Sequence, residues 1–295
     1  MSASTQPALL VLGATGAIGR GVVRAALDAG RPVLAVSSDR EGLRDMQGSH
    51  AHADFSTLVA NLRDERQAIA LAKRLRKLDR PIDGVVAALC TERERGRLLD
   101  QPSAGLRDAL DAGVVAHLAL ARHLLPLLAS NGRAGGYVLI DGPGGDAPWA
   151  GYGHRSIGAA ALRMLARVLH DEARPIGVRV QLLSLEWPVR TEANARHACD
   201  QWPSALGVGR RALAMLDRND RTRTEAIVPC KGPCAADDLP ADALAQGSDS
   251  GVSLLTSRCL QDARTLLGSL LPPSPTSPTS PLDSKEDAHD RSNRR

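Results

Sequence analysis

The residues best placed to do chemistry lie near the N-terminus, in Leu10-Val11-Leu12-Gly13-Ala14-Thr15-Gly16-Ala17-Ile18-Gly19-Arg20. An apolar run of strand length feeds a turn with glycine at every third position, and a helical pattern follows. Gly13 permits a tight turn, Gly16 lets the backbone approach a pyrophosphate, and Gly19 allows the helix to pack close to the strand. The helix start at Ala17 and Ile18, with Thr15 beside it, offers N–H groups and the positive end of a helix dipole to phosphate oxygens. A glycine triplet alone is weak evidence; one that follows a strand, opens a helix and begins a βαβ unit indicates a dinucleotide site. A packing turn without a ligand is the alternative.

A second group follows the next apolar run, at Ser37, Ser38, Asp39 and Arg40, where the adenosine ribose of a dinucleotide would lie. Hydroxyls and an arginine favour the 2′-phosphate of NADP, whereas an acid at the strand tip favours the 2′-OH of NAD. Ser37 and Arg40 therefore point to NADP, while Asp39 keeps NAD open; Ser37, Ser38 and Asp39 could instead cap the next helix. Asp54 and Phe55, after the next short apolar stretch, are placed to reach an adenine amino group; a surface turn is the alternative.

The elements that must position these groups alternate regularly. Strands are expected at Ala8–Leu12, Pro32–Val36, Gly84–Leu89, Tyr137–Ile140, Val178–Leu183 and Glu225–Val228. Helical patterns fall between them at Ala17–Ala29, Arg40–Met46, Asp64–Leu78, Leu106–Leu128, Ile157–Ala173 and Val208–Leu216. Strands separated by helices make βαβ units, and right-handed crossovers turn these into an α/β fold with a doubly wound parallel sheet. One Rossmann-type domain over 1–232 is expected, followed by an irregular extension at 233–271 that includes an amphipathic piece, Val252 to Leu271. A Pro- and Ser-rich tail at 272–295 carries too little apolar surface to offset its ordering entropy and reads as disordered.

Composition narrows the function classes. The chain has 295 residues, 43% hydrophobic but only 2% aromatic, so its core is aliphatic and a base-stacking nucleic-acid platform is excluded. Its +4 net charge is spread among interspersed acids, as in the mixed-sign run Thr91 to Arg97, rather than gathered into a basic patch. Five scattered cysteines suit a reducing cytoplasm, and Cys230 with Cys234 lacks the further ligands of a zinc site, so no metal is expected. No signal peptide or membrane-crossing apolar stretch is read.

Together these features resemble the short-chain dehydrogenase/reductase family over roughly residues 7 to 230. The glycine turn is similar to its cofactor loop in a Gly-x-x-Gly-x-x-Gly spacing found in atypical members. Asp54 falls where the family places an adenine-contacting acid, Ile82-Asp83-Gly84-Val85-Val86 resembles the fourth strand, and Thr191 after Pro188-Val189-Arg190 matches the threonine that contacts the nicotinamide end. The resemblance implies a single-domain NAD(P)-dependent oxidoreductase acting on a carbonyl or hydroxyl substrate. It also implies a homo-oligomer assembled through the helices at Leu106–Leu128 and Ile157–Ala173.

The resemblance fails at the catalytic positions. The family's proton relay pairs a tyrosine with a lysine four residues on, supported by a serine and an asparagine. Lysine occurs only at Lys73, Lys77, Lys231 and Lys285, so the pair is absent in any register. Counting from neighbouring motifs puts Arg155 at the tyrosine position, Ala159 at the lysine position, Gly142 at the serine position and Gly113 at the asparagine position. A rearranged site would draw on Tyr152, one turn early, on Arg155 for charge stabilisation, and on Asp141 or His154 as acid or base. The alternatives are a silent dinucleotide sensor and a structural subunit paired with an active relative. Trp149, Trp187 and Trp202 fall in loops that would rim a pocket for a small apolar carbonyl substrate.

Overall fold

The computed structural model describes residues 6–78, 80–89, 95–130, 135–217, 222 and 224–232, all within the compact unit Met1–Leu244. Among them the apolar runs become strands β1 (Ala8–Leu12), β2 (Val33–Ser37), β3 (Phe55–Val59), β4 (Ile82–Ala87), β5 (Gly136–Asp141), β6 (Arg179–Leu185) and β7 (Ile227–Cys230). They form a single parallel sheet in the order β3-β2-β1-β4-β5-β6-β7. The helices are α1 (Ala17–Asp28), α2 (Arg40–Ser49), α3 (Glu65–Leu75), α4 (Ser103–Leu110), α5 (Ala116–Ser130), α6 (Gly153–Ala173) and α7 (Ala205–Leu216).

Strand residues alternate between two cores, as the period of two in a pleated strand requires. Leu10, Leu12, Val85, Tyr137, Leu139 and Leu182 face α3, α5 and α6. Leu9, Val11, Val86, Val138, Ile140 and Leu183 face α1, α2 and α7. Because chain order runs outward from β1 to β3 and then resumes at β4, the direction of winding reverses between β1 and β4. In open α/β sheets the crevice at the carboxyl end of such a switch is the ligand site.

Two differences from the expected elements matter. β3 was not anticipated; only half buried at the sheet edge, it lacks the continuous apolar run of an interior strand. The long helix at Leu106–Leu128 is α4 and α5 joined by a π-helical turn, Asp111–Val115, centred on Gly113. The resulting run Ser103–Ser130 is long and apolar enough to cross a membrane by length and composition, which corrects the expectation that no stretch is. Here Leu120, Ala121, Leu124 and Leu128 bury its inner face in the core. Cys230 is disulfide-bonded, correcting the expectation of unpaired thiols at that position. The extension at 233–271 and the tail at 272–295 lie outside the described residues.

Candidate functional site

Each glycine of the β1–α1 turn is held by a different constraint. Gly13 has φ +75, and a Cβ there would lie 2.4 Å from the Ala88 carbonyl oxygen, so neither the backbone nor the space admits a side chain. A Cβ on Gly19 would sit 2.1 Å from the Gly13 carbonyl oxygen, the close helix-to-strand contact expected of the third glycine. Gly16 is different: it is exposed, and the nearest atom to its Cβ position is the Gly13 carbonyl oxygen at 3.4 Å. Packing alone does not require glycine there. The open approach at Gly16 and the start of α1, which has neither a side-chain cap nor an acid in its first turn, leave the first amides of the helix without a side-chain acceptor. The residues present fit a dinucleotide pyrophosphate.

At the β2 tip, the Ser37 hydroxyl is buried, 2.8 Å from the Thr15 hydroxyl, and accepts the Asp39 N–H at 3.1 Å. Asp39 caps α2, its carboxylate accepting the Gly42 N–H at 2.9 Å. Ser38 and Arg40 stay exposed at the crevice edge.

Asp54 and Phe55 require a correction. They stand at the amino end of β3, where Phe55 pairs with Val33 and the Asp54 carboxylate receives the Arg80 guanidinium at 2.5 and 2.6 Å. That is the opposite end of the sheet from Gly13, out of reach of an adenine held in the crevice. The carboxyl end of β3 instead presents Ala60, whose N–H donates to the Ser37 carbonyl at 2.9 Å, and exposed Asn61. Recognising β3 in the sequence would have exchanged Asp54 for Asn61.

On the other side of the crevice, β5 ends at Asp141. One carboxylate oxygen accepts the Gly142 N–H at 2.8 Å, while the other is buried without a partner. Burial pushes the Asp141 carboxyl up to about 6, against the lowering effects of the Gly142 N–H and the Arg163 and Arg155 charges. Arg155, in the first turn of α6, occupies the space beside Gly142: a Cβ on that glycine would lie 3.9 Å from its Nη2. Its guanidinium also stands 5.7 Å from the Trp149 ring centroid. Tyr152 immediately precedes α6, and its ring stacks on Trp149 at 4.4 Å. The structure thus brings Asp141 and Arg155 together and carries Tyr152 onto the indole at the rim.

Arg163, two turns beyond Arg155, was missed in the sequence. Although buried, its guanidinium reaches Asp146 in the β5–α6 loop and the Ser184 hydroxyl on β6. It lies against Gly145, where a Cβ would meet its Nε at 2.5 Å. An arginine between Leu162 and Ala166 on an otherwise apolar helix face was the available signal. Ala159, at the resemblance's lysine position, is buried.

The remaining candidates sit in the following surroundings. Thr191 opens a short 3-10 turn, Glu192–His197, in a reciprocal cap with Asn194. His154 has its Nε2 3.5 Å from the Cβ position of Gly105. His117 is fully buried on α5 with neither ring nitrogen paired, and desolvation lowers it to about 4, so it is neutral.

The family model described as enoyl-(acyl carrier protein) reductase matches residues 13–218. No functionally curated protein matches the chain in sequence. Among solved structures, a short-chain oxidoreductase from Burkholderia thailandensis is 26% identical with a TM-score of 0.67, covering 77% of this chain and 91% of that one. A short-chain dehydrogenase from Sphingobium yanoikuyae, in complex with NADPH, is 21% identical with a TM-score of 0.61, covering 92% and 98%. A Pseudomonas aeruginosa short-chain oxidoreductase containing an atypical catalytic centre is 18% identical with a TM-score of 0.67, covering 78% and 97%. With the parallel sheet, the crevice at its switch point and a family match over most of the chain, this protein belongs to the short-chain dehydrogenase/reductase family.

Proposed function

We propose that the chain binds NADP(H) on the Gly13–Gly19 turn and is an oxidoreductase of a carbonyl substrate whose proton transfer is rearranged around Asp141 and Arg155. The observation that carries the nucleotide reading is Gly16, a glycine that packing does not demand, at the mouth of an uncapped helix. Asp39 is committed to capping α2, which weakens the case for NAD, and exposed Ser38 and Arg40 suit a 2′-phosphate. The NADPH held by the Sphingobium yanoikuyae protein agrees with that choice.

When bound, the nicotinamide would supply or accept a hydride. For reduction, the chain itself must deliver one proton to the carbonyl oxygen, and the family's tyrosine and lysine are replaced by Arg155 and Ala159. Arg155 remains protonated and cannot donate. Asp141, raised to about 6, can hold a proton near neutrality on its buried, unpartnered oxygen. Arg163 holds the β5–α6 loop across the end of the sheet, and Trp149 with Tyr152 forms an apolar rim. A second reading, dinucleotide binding without turnover, is favoured by Gly142 and Ala159, which leave the family's serine and lysine positions without functional groups.

A second copy of the chain is the partner proposed for the outer face of α5 and α6, where Leu118, Ile157, Met164 and Val168 are exposed at roughly helical spacing. Mass by light scattering, with Met164→Glu as the disrupting variant, tests it. The test of the redox reading is a single-turnover assay in which oxidation of bound NADPH is followed over a panel of carbonyl compounds. Turnover that falls at least tenfold in Asp141→Asn and less in Tyr152→Phe supports the rearranged site. Absence of turnover with every compound selects the silent reading.

A further inference from the structure

A cavity of about 310 Å³ lies at the end of the sheet away from the glycine turn, within the size range of small-ligand sites. Its walls are Gly135 and Val178, just before β5 and β6, His170 and Arg174 at the end of α6, and Thr224 ahead of β7. β6 runs seven residues from here toward the crevice, so at roughly 3.3 Å per residue about 20 Å of strand separates the two places.

His170 and Arg174 stand four residues apart and so share one helix face. His170 is only 9% exposed, and its Nδ1 lies 2.7 Å from the Val180 carbonyl oxygen. A carbonyl oxygen only accepts, so Nδ1 carries the hydrogen. Nε2 has no hydrogen-bond partner among the described residues, yet it is not sealed off as the ring nitrogens of His117 are, and it opens onto the cavity that His170 lines. Arg174 is exposed at the mouth, and its guanidinium has neither a hydrogen bond nor an ion pair among the described residues. Arg179 also borders the space, but it donates to the Met215 carbonyl at 2.8 Å and serves as wall. The acids nearest in sequence, Asp171, Glu172 and Glu225, are exposed and do not line the cavity. An arginine after a helix also complements the helix dipole, but that does not account for a buried imidazole nitrogen left open to a cavity.

A ligand of this cavity must bring negative charge to Arg174 and, one helical turn away, a group that suits Nε2. That nitrogen accepts a hydrogen bond in the neutral ring and donates one in the protonated ring. A phosphate group suits both states, because its second ionisation near pH 6 lets it keep a proton as O–H toward Nε2 or yield it to the ring. Sulfate and carboxylate hold no proton at neutral pH and suit the protonated ring alone. The cavity is larger than a bare phosphate, and the room beside Val178 and the glycines fits a small ester group. We propose that this cavity binds a small phosphate monoester, with its phosphate held between the Arg174 guanidinium and His170 Nε2, at a site separate from the dinucleotide crevice.

The test is calorimetric titration of the full chain at pH 7, in low-salt buffer free of phosphate, with glycerol 3-phosphate, inorganic phosphate and sulfate. Each is titrated alone and again with NADP+ present, which occupies any phosphate site on the glycine turn. Glycerol 3-phosphate is expected to bind one-to-one, more tightly than inorganic phosphate and at least tenfold more tightly than sulfate, with or without NADP+. Arg174→Gln should weaken it at least tenfold. His170→Asn, which keeps a donor for the Val180 carbonyl and removes Nε2, should do the same, whereas Gly16→Val should leave it unchanged. Near-UV circular dichroism checks the fold of each variant. No binding at millimolar glycerol 3-phosphate, sulfate bound equally well, binding that survives Arg174→Gln, or displacement by NADP+ overturns the proposal. Inorganic phosphate bound as tightly as the ester overturns the monoester assignment in favour of the free ion.

Discussion

The two walls of the crevice, β1–α1 and β5–α6, have diverged to different degrees. At β1–α1 every position of the family pattern is kept, and the geometry accounts for each glycine separately. At β5–α6 the strand, loop and helix are all in place, and it is the count from neighbouring sequence motifs that sets Gly142, Arg155 and Ala159 against the family's serine, tyrosine and lysine. Phosphate recognition at a helix start uses backbone amides, which survive as long as glycine spacing survives. Proton transfer uses side chains, which substitution can exchange without disturbing the sheet. Membership of the family therefore rests on the sheet and the glycine turn, and the mechanism has to be tested by itself.

The strongest way to break the first wall is Gly19→Val. Its branched side chain would overlap Gly13 and Ala14, whose atoms lie 2.1 to 2.9 Å from the Cβ position, so α1 must move off β1. A loss of about 4 kcal/mol or more, or failure to fold, is expected in denaturant unfolding, together with loss of NADPH binding.

The second wall is sharpened through pH. Asp141 is raised from 3.8 to about 6, so its proton is bound more tightly in the folded than in the unfolded chain. Stability from this group is present at low pH and is lost as pH rises through the window from about 4 to about 6, by about 3 kcal/mol. Asp141→Asn should remove that loss, seen as a flatter unfolding midpoint across the window. His117 works in the opposite sense: lowered from 6.5 to about 4, it contributes stability above about 6.5 that is lost as pH falls toward 4. His117→Leu should erase this acid limb and, by removing two unpartnered buried nitrogens, add about 1 to 2 kcal/mol at pH 5.

Smaller effects test the nucleotide end. Asp39→Ala should cost about 1 kcal/mol through loss of the α2 cap, with NADPH still preferred over NADH. Asp54→Ala should leave NADPH affinity within twofold, since Asp54 serves Arg80 at the far end of the sheet, whereas Asn61→Ala is expected to weaken it modestly.

What could be read from the chain without its structure follows the same division. The parallel sheet and the β1–α1 turn were legible because apolar periodicity and glycine requirements are local. The absence of a lysine between Lys77 and Lys231 was legible as well, from the positions of the four lysines. Asp54 was misassigned because β3, an edge strand with an interrupted apolar pattern, was not recognised, and its acid was placed at the wrong end. Arg163 and the perturbed Asp141 were illegible for a different reason. Their character arises from burial and from partners on β6 and the β5–α6 loop, more than 20 residues away for Ser184, and no local pattern carries that information. The π-helical turn at Gly113 likewise depends on how α4 and α5 meet the rest of the fold.

One titration bears most directly on the whole reading: NADPH added to the full-length chain at pH 7, followed by the fluorescence of the reduced nicotinamide. Saturable one-to-one binding at micromolar concentration, weakened at least tenfold by Gly16→Val, is the expected result. No binding at millimolar NADPH, or binding that Gly16→Val leaves unchanged, would contradict the assignment of the Gly13–Gly19 turn as a dinucleotide site.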